Sequence, residues 1–154
     1  MSKINKQPNK PPLKPKKSPR MPSDQDGFYQ KKPSWSFAIC DLDHDCWGLC
    51  CEDNLLDIQS VILKLVSLEG QTWGQILTTP KGKGTGTKNH LIARNDIVKP
   101  AQSRLAEKNI WYDELYSIRI NGNDRIWGVI QDGVFSIIWY DPKHEICPSL
   151  KKHT

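Results

Sequence analysis

The stretch Asp141-Pro142-Lys143-His144-Glu145 closes a run of strand-forming residues, and two arginines, Arg119 and Arg125, lie on the strands just before it. These are the residue types that metal-free scission of RNA requires. In that reaction a 2′-hydroxyl attacks its neighbouring phosphate in line. A base must take the hydroxyl proton, an acid must protonate the leaving oxygen, and cations must offset the charge of the phosphorane. A histidine with an ordinary pKa of about 6.5 serves as either acid or base. Arginine suits the phosphate because its planar fork donates two parallel hydrogen bonds, and a preorganised donor of this kind is worth on the order of 3 kcal/mol in the transition state. Arg125, Arg119, Lys143 and His144 therefore form the candidate catalytic set, with Trp127 and Tyr140 as aromatic platforms on which bases would stack. The plainer alternative is a solvated strand end, with His144 and Glu145 a surface pair and Asp141 paired to Lys143.

The strands that would position this set are legible. Asp132-Gly133 is a two-residue hairpin signal between 125–130 and 134–140. With that turn Gln131 pairs Val134, and counting back places Arg125 opposite Tyr140. One face then carries Ile126, Gly128, Ile130, Phe135, Ile137 and Trp139, a core face. The other carries Arg125, Trp127, Val129, Ser136, Ile138 and Tyr140, a mixed face suited to binding. The preceding strand, 115–120, keeps Tyr116, Ile118 and Ile120 on the core face if Asn121-Gly122-Asn123 forms a three-residue loop. Arg119 then lies directly opposite Arg125. Like charges facing each other cost stability. Either an anionic ligand sits between them or the two side chains splay into water.

Further back, 34–43 reads as a first strand. Leu55, Leu56, Ile58, Ile62, Leu63, Leu65 and Val66 recur at helical spacing between an N-cap at Asp53 or Asn54 and a stop at Gly70. A short helix over 72–77 is capped by Thr72, a short strand covers 90–93, and Pro100 opens a helix over 100–109. The loop 78–89, TTPKGKGTGTKN, lacks the G-x4-G-K-[ST] spacing and the strand–helix setting of a phosphate loop, yet its Lys81, Lys83 and Lys88 could touch a phosphate backbone. His90 follows at the loop–strand junction, within reach of the same cleft.

Composition frames these elements. Residues 1–32 hold nine Lys/Arg against two Asp, about +7, so the remainder is near −2 within the net charge of +5; seven of the eleven prolines precede residue 34. Such a segment cannot bury enough apolar surface to offset the entropy of ordering it, and 1–32 reads as a disordered basic tail. A polybasic tail favours nucleic acid through counterion release; a solubilising leader is the bland alternative. No signal-peptide stretch or membrane-length apolar run is seen, and five cysteines without an export signal point to a reducing cytoplasm. Four of these, Cys40, Cys46, Cys50 and Cys51, crowd around His44, but their spacing lacks the paired knuckles of a zinc site. No metal site is expected there; His44 reads as a capping or packing group.

The last third, LYSIRINGNDRIWGVIQDGVFSIIWYDPKHEICPS, resembles the C-terminal three-strand unit of the RelE/ParE superfamily of bacterial toxins over roughly 115–147. It is also similar, from about Trp35 onward, to a bacterial group ending RIWG…VFxIxWxDPxHExCPS. The resemblance implies an α+β domain over 33–150, a small antiparallel sheet with helices packed on one face, followed by a frayed end at 151–154. It implies a toxin-like, ribosome-dependent mRNA endonuclease that works without metal or cofactor, held in check by a cognate antitoxin protein. A non-catalytic module on the same fold, binding nucleic acid or a protein target as a ParE-like target inhibitor or a phage accessory protein, is the alternative. Carried over residue by residue, the arginine that opens the second hairpin strand is Arg125. The basic position of the preceding strand is Arg119, with Ser117 where a second lysine would stand. The basic position after the last strand is Lys143 or His144. The family's C-terminal tyrosine falls near Ile146 or Cys147, leaving Tyr140 as a substitute from its own strand.

Overall fold

Asp132 and Gly133 take φ values of +52° and +83°, the two consecutive left-handed residues that a tight hairpin turn needs. On that turn β4 (Arg125–Gln131) and β5 (Val134–Asp141) pair antiparallel, with Gln131 opposite Val134. The structure, a computed structural model, describes residues 27–80 and 89–148. Around the hairpin it adds β3 (Glu114–Arg119) against β4, β2 (His90–Ala93) against β3, and β1 (Ser34–Ser36) parallel to β5. The sheet order is β1-β5-β4-β3-β2. The expected antiparallel sheet is thus a mixed, five-stranded one. The first strand stops at Ser36 rather than running on to residue 43, because the chain turns after it; Asp41 and Trp47 still hydrogen-bond to the backbone of β5 through Ile138 and Tyr140.

The register holds until the middle of β5. Gly128 pairs Ile137, then Trp127 pairs Trp139, leaving Ile138 as the extra residue of a bulge. A bulge of one residue exchanges the faces of everything beyond it. Tyr140 therefore lies opposite Ile126 and Asp141, not Tyr140, lies opposite Arg125. Gly128 is required here: a Cβ would collide with the carbonyl oxygen of Ser136 and stand 2.8 Å from the Phe135 ring.

Helices cover both faces of the sheet, not one. On the first, α1 (Ile58–Leu68) and α2 (Trp73–Leu77) set Val61, Leu65, Leu68, Trp73 and Ile76 against Ile118, Ile126, Phe135, Ile137 and Tyr140. Thr72 caps α2 through a reciprocal capping box with Gln75. Phe28 and Tyr29, near the end of the segment read as a tail, pack on this core as well. On the second face, α3 (Lys99–Glu107) and the segment around Trp47 set Ala101, Leu105 and Trp47 against Leu115, Trp127, Val129, Ile138 and Trp139. The face read as a binding surface is thus largely a second core.

Two devices close that second face. Asp41 is fully buried and takes both arms of Arg104 at 2.8 and 2.9 Å and the indole N–H of Trp139 at 3.0 Å. Burial by itself would raise its carboxyl pKa. The hydrogen bonds from Arg104 and Trp139 and the nearby charges of Arg104 and Lys108 outweigh that, holding it well below the usual carboxylate range. In the cysteine-rich turn His44 stacks on Trp47 at 4.5 Å, its Nδ1 accepting the N–H groups of Cys46 and Trp47, a capping role as expected. Asn54 is buried and donates to the carbonyls of Cys46 and Gly48, so it ties down that turn instead of capping α1. Burial pushes the Cys40 thiol up to about 11, well away from a reactive thiolate.

Candidate functional site

Beyond Trp127 and Ser117 the second face of the sheet runs out into one last row. Here Arg119, Arg125 and Asp141 are cross-strand neighbours on β3, β4 and β5. The three-residue loop that makes this pairing possible is present. Ile120 donates to Asp124, Asp124 to Asn121, and Gly122 takes φ +43°. Residues directly opposite on paired strands share a face, so His90, opposite Ser117, belongs to this side of the sheet too.

The turn after β5 is fixed at both ends. Asp141 is completely buried, and its two carboxylate oxygens accept the N–H groups of Glu145 at 2.9 Å and Ile146 at 3.0 Å. Ile146 is itself buried in the second core and accepts the N–H of Val98. Asp141 therefore serves the turn, not Lys143. Between these anchors His144 is held at φ +55°, a conformation uncommon outside glycine in which histidine is several-fold enriched. Its imidazole is half-buried, and its pKa is lowered from 6.5. Desolvation is the largest cause, the positive charges of Arg125 and Arg119 add to it, and Asp141 partly opposes it. A neutral imidazole is the form that can accept a proton. Lys143 beside it is exposed.

The two arginines differ in commitment. Arg125 is 5 % exposed, and its Nη1 donates to the carbonyls of Gly122 and Asp124 at 2.8 and 3.0 Å. Its pKa is lowered by desolvation and then by the like charge of Arg119. Arg119 is half-buried, and its Nε is shielded from solvent without a hydrogen-bond acceptor among the described residues. A buried donor left unmatched costs on the order of 1–3 kcal/mol; the indole N–H groups of Trp47 and Trp127, in the second core, are likewise shielded and unmatched among the described residues. Arg119 also lines an open cleft of about 390 Å³, together with Lys64, Gln71, Thr79, Asn89 and Asn121. Among the described residues the lining has two cationic side chains and no carboxylate, a composition that fits a phosphate.

Two expected members of the site are elsewhere. Trp127 is fully buried beneath α3, and Tyr140 is 1 % exposed on the opposite face, its hydroxyl donating to Asp124 at 2.8 Å. Burial and that hydrogen bond raise the Tyr140 pKa far above its ordinary value. Neither ring offers a face for a base to stack on, and Tyr140 cannot replace a catalytic tyrosine on the side where His144 lies. Lys81, Lys83 and Lys88 lie outside the described residues. Among the described residues no group of three or more His, Cys, Asp or Glu side chains is placed to hold a metal ion, and no helix is long and apolar enough to cross a membrane. The residues that sequence reasoning missed are Lys64, Asn89 and Asn121 of the cleft and Asp141 as the keeper of the His144 turn.

No protein-family profile, no curated protein and no solved structure matches the chain.

Proposed function

We propose that this chain is a toxin-like endoribonuclease that takes an RNA phosphodiester at the Arg119–Arg125–His144 corner and cleaves it without a metal. One observation carries the reading. The register sets Arg119 against Arg125, and the locked 141–146 turn brings His144 into the field of both. In the reaction, neutral His144 takes the 2′-hydroxyl proton as the oxygen attacks phosphorus. The 5′-oxygen leaves with a proton from water or from the imidazolium just formed, giving a 2′,3′-cyclic phosphate. Arg119 supplies the free donors for the phosphorane oxygens; Arg125, already bound to two carbonyls, contributes its fixed charge. Lys143 and the cleft beside Arg119 hold the neighbouring phosphate. The buried tryptophan and tyrosine leave binding to the RNA backbone, so recognition is weakly selective for sequence and steeply salt-dependent. The substrate class is mRNA presented on the ribosome, and a cognate antitoxin protein is the corresponding partner.

The commitment of Arg125 to its own loop favours a second reading, a non-catalytic module that grips an anionic backbone at the same corner. Induced expression in a bacterial host, with mRNA 5′ ends mapped for wild type and for His144→Ala at matched soluble levels, separates the two. New cleavage sites in translated frames that vanish in the variant support the enzyme. Salt-sensitive RNA binding that survives His144→Ala, without cleavage in either protein, supports the module.

A further inference from the structure

The helix α1 presents two apolar stripes, and the fold uses one. Val61, Leu65 and Leu68 face the sheet. On the other side Ile62, Leu63 and Val66 are 52 %, 62 % and 59 % exposed, and the turn leading into the helix adds Leu55 at 50 % and Leu56 at 92 %. At 100° per residue Ile62, Leu63 and Val66 fall within one arc, and the only other side chain in that arc is the uncharged Gln59. Lys64 points away from it, into the polar cleft lined by Arg119. Single exposed leucines are ordinary; three exposed aliphatic residues in one helical arc, with two more on the turn that leads into it, are not.

We propose that this stripe is the contact surface of a symmetric homodimer, with α1 of one copy lying antiparallel on α1 of another. Three features favour a second copy as the occupant. The stripe carries no charge, so a chain with net charge +5 can meet its own copy there without like charges opposed. A two-fold axis near the middle of the 11-residue helix sets Leu56 of each copy by Val66 of the other, with Ile62 and Leu63 near the axis, a self-complementary match. The area reaches the lower edge of a standard stable interface when the exposed surface of these five residues, roughly 600 Å² per copy and about 1,200 Å² for the pair, is buried in full. Residues 1–26 of the same chain are unsuited to the stripe, since their apolar side chains are only Met1, Ile4, Leu13 and Met21 among many lysines and prolines.

The test is the mass of the full-length chain in solution, by light scattering or sedimentation across concentrations up to about 100 μM. The expected result is a dimer for wild type and a monomer for Ile62→Glu/Val66→Glu, with self-association weakened at least tenfold and the thermal midpoint of the double variant retained to within a few degrees. Leu63→Gln serves as a gentler second variant and should weaken the dimer while keeping the fold. A wild-type monomer throughout that range overturns the proposal, and so does a dimer that persists in both folded variants. A wild-type monomer that assembles only with another protein through these residues also overturns it, assigning the stripe to a heterologous partner.

Discussion

Arg104 and Arg119 lie on the same face of one sheet, yet they occupy opposite electrostatic circumstances. Arg104 closes a bidentate pair with the buried Asp41, touches Asp43 and Glu107, and has its pKa raised, chiefly by the Asp41 hydrogen bonds. Arg119 faces Arg125 across the strand pair and keeps a buried donor without an acceptor among the described residues. The first arrangement is complete within the chain and reads as structure. The second is not completed by the described residues, and it is the arrangement on which the proposed function rests. An arginine's role is decided less by its burial than by whether the chain itself supplies the matching acceptor.

If that contrast is right, removing the anion at Arg104 should be the most damaging change to stability. Asp41→Ala removes the bidentate partner of Arg104, which keeps Asp43 and Glu107, and strands the buried Trp139 N–H; it should cost about 3 kcal/mol, read by urea unfolding, while any activity per folded molecule stays near wild type. A loss of under about 1 kcal/mol would place the pair with ordinary surface bridges. At the other arginine the signs reverse. Arg119→Gln relieves like-charge repulsion, so stability should hold or rise slightly. RNA cleavage, or backbone binding under the second reading, should fall on the order of 100-fold. A variant that unfolds without losing function would reverse the two assignments.

Between these lies the bulge, which decides what reaches the corner. Gly128→Ala forces a methyl into the Ser136 carbonyl and the Phe135 ring and should cost about 2–3 kcal/mol by overpacking. Because the bulge sets Asp141 opposite Arg125, the variant should also disturb the His144 turn. That is measurable as a changed His144 NMR signal in protein that still folds.

The legibility of these parts follows from how local their causes are. The hairpin, the three-residue loop and the Arg119–Arg125 pairing could be counted off the sequence because each rests on turn chemistry a few residues away. The bulge could not: its one trace is a glycine inside a strand, and an unbroken register gives Gly128 a place on the core face. Missing it moved Trp139 and Tyr140 to the wrong faces. The cover over the second face was hidden for another reason. It depends on Asp41 meeting Arg104, 63 positions away, and on α3, whose sequence is mostly polar and gives little sign of a core-facing stripe. For α1 the apolar pattern was visible but too generous. Of the seven residues that marked it, Leu65 alone is buried and Ile58 half-buried, because two stripes overlap in one short helix.

The smallest expected effect concerns pH, and it tests whether His144 senses both arginines. Its folded pKa lies below the unfolded value of 6.5. Between the two the unfolded chain therefore binds more protons than the folded one, and stability falls as pH drops through that window. Asp41 acts in a separate window: with its pKa depressed, its contribution is present above about pH 4 and lost as pH falls further. Wild type unfolded in urea at a series of pH values should thus lose stability in two steps on acidification. His144→Gln should flatten only the upper step, a small one because a partly exposed imidazole is screened by solvent. Arg119→Gln removes one of the positive charges that depress the imidazole, so its NMR titration should move up towards 6.5. It should stop short, since desolvation and Arg125 remain. A titration unmoved by Arg119→Gln, in protein that folds, would mean that His144 and Arg119 do not share a corner. The contrast with Arg104 would then lose its functional half.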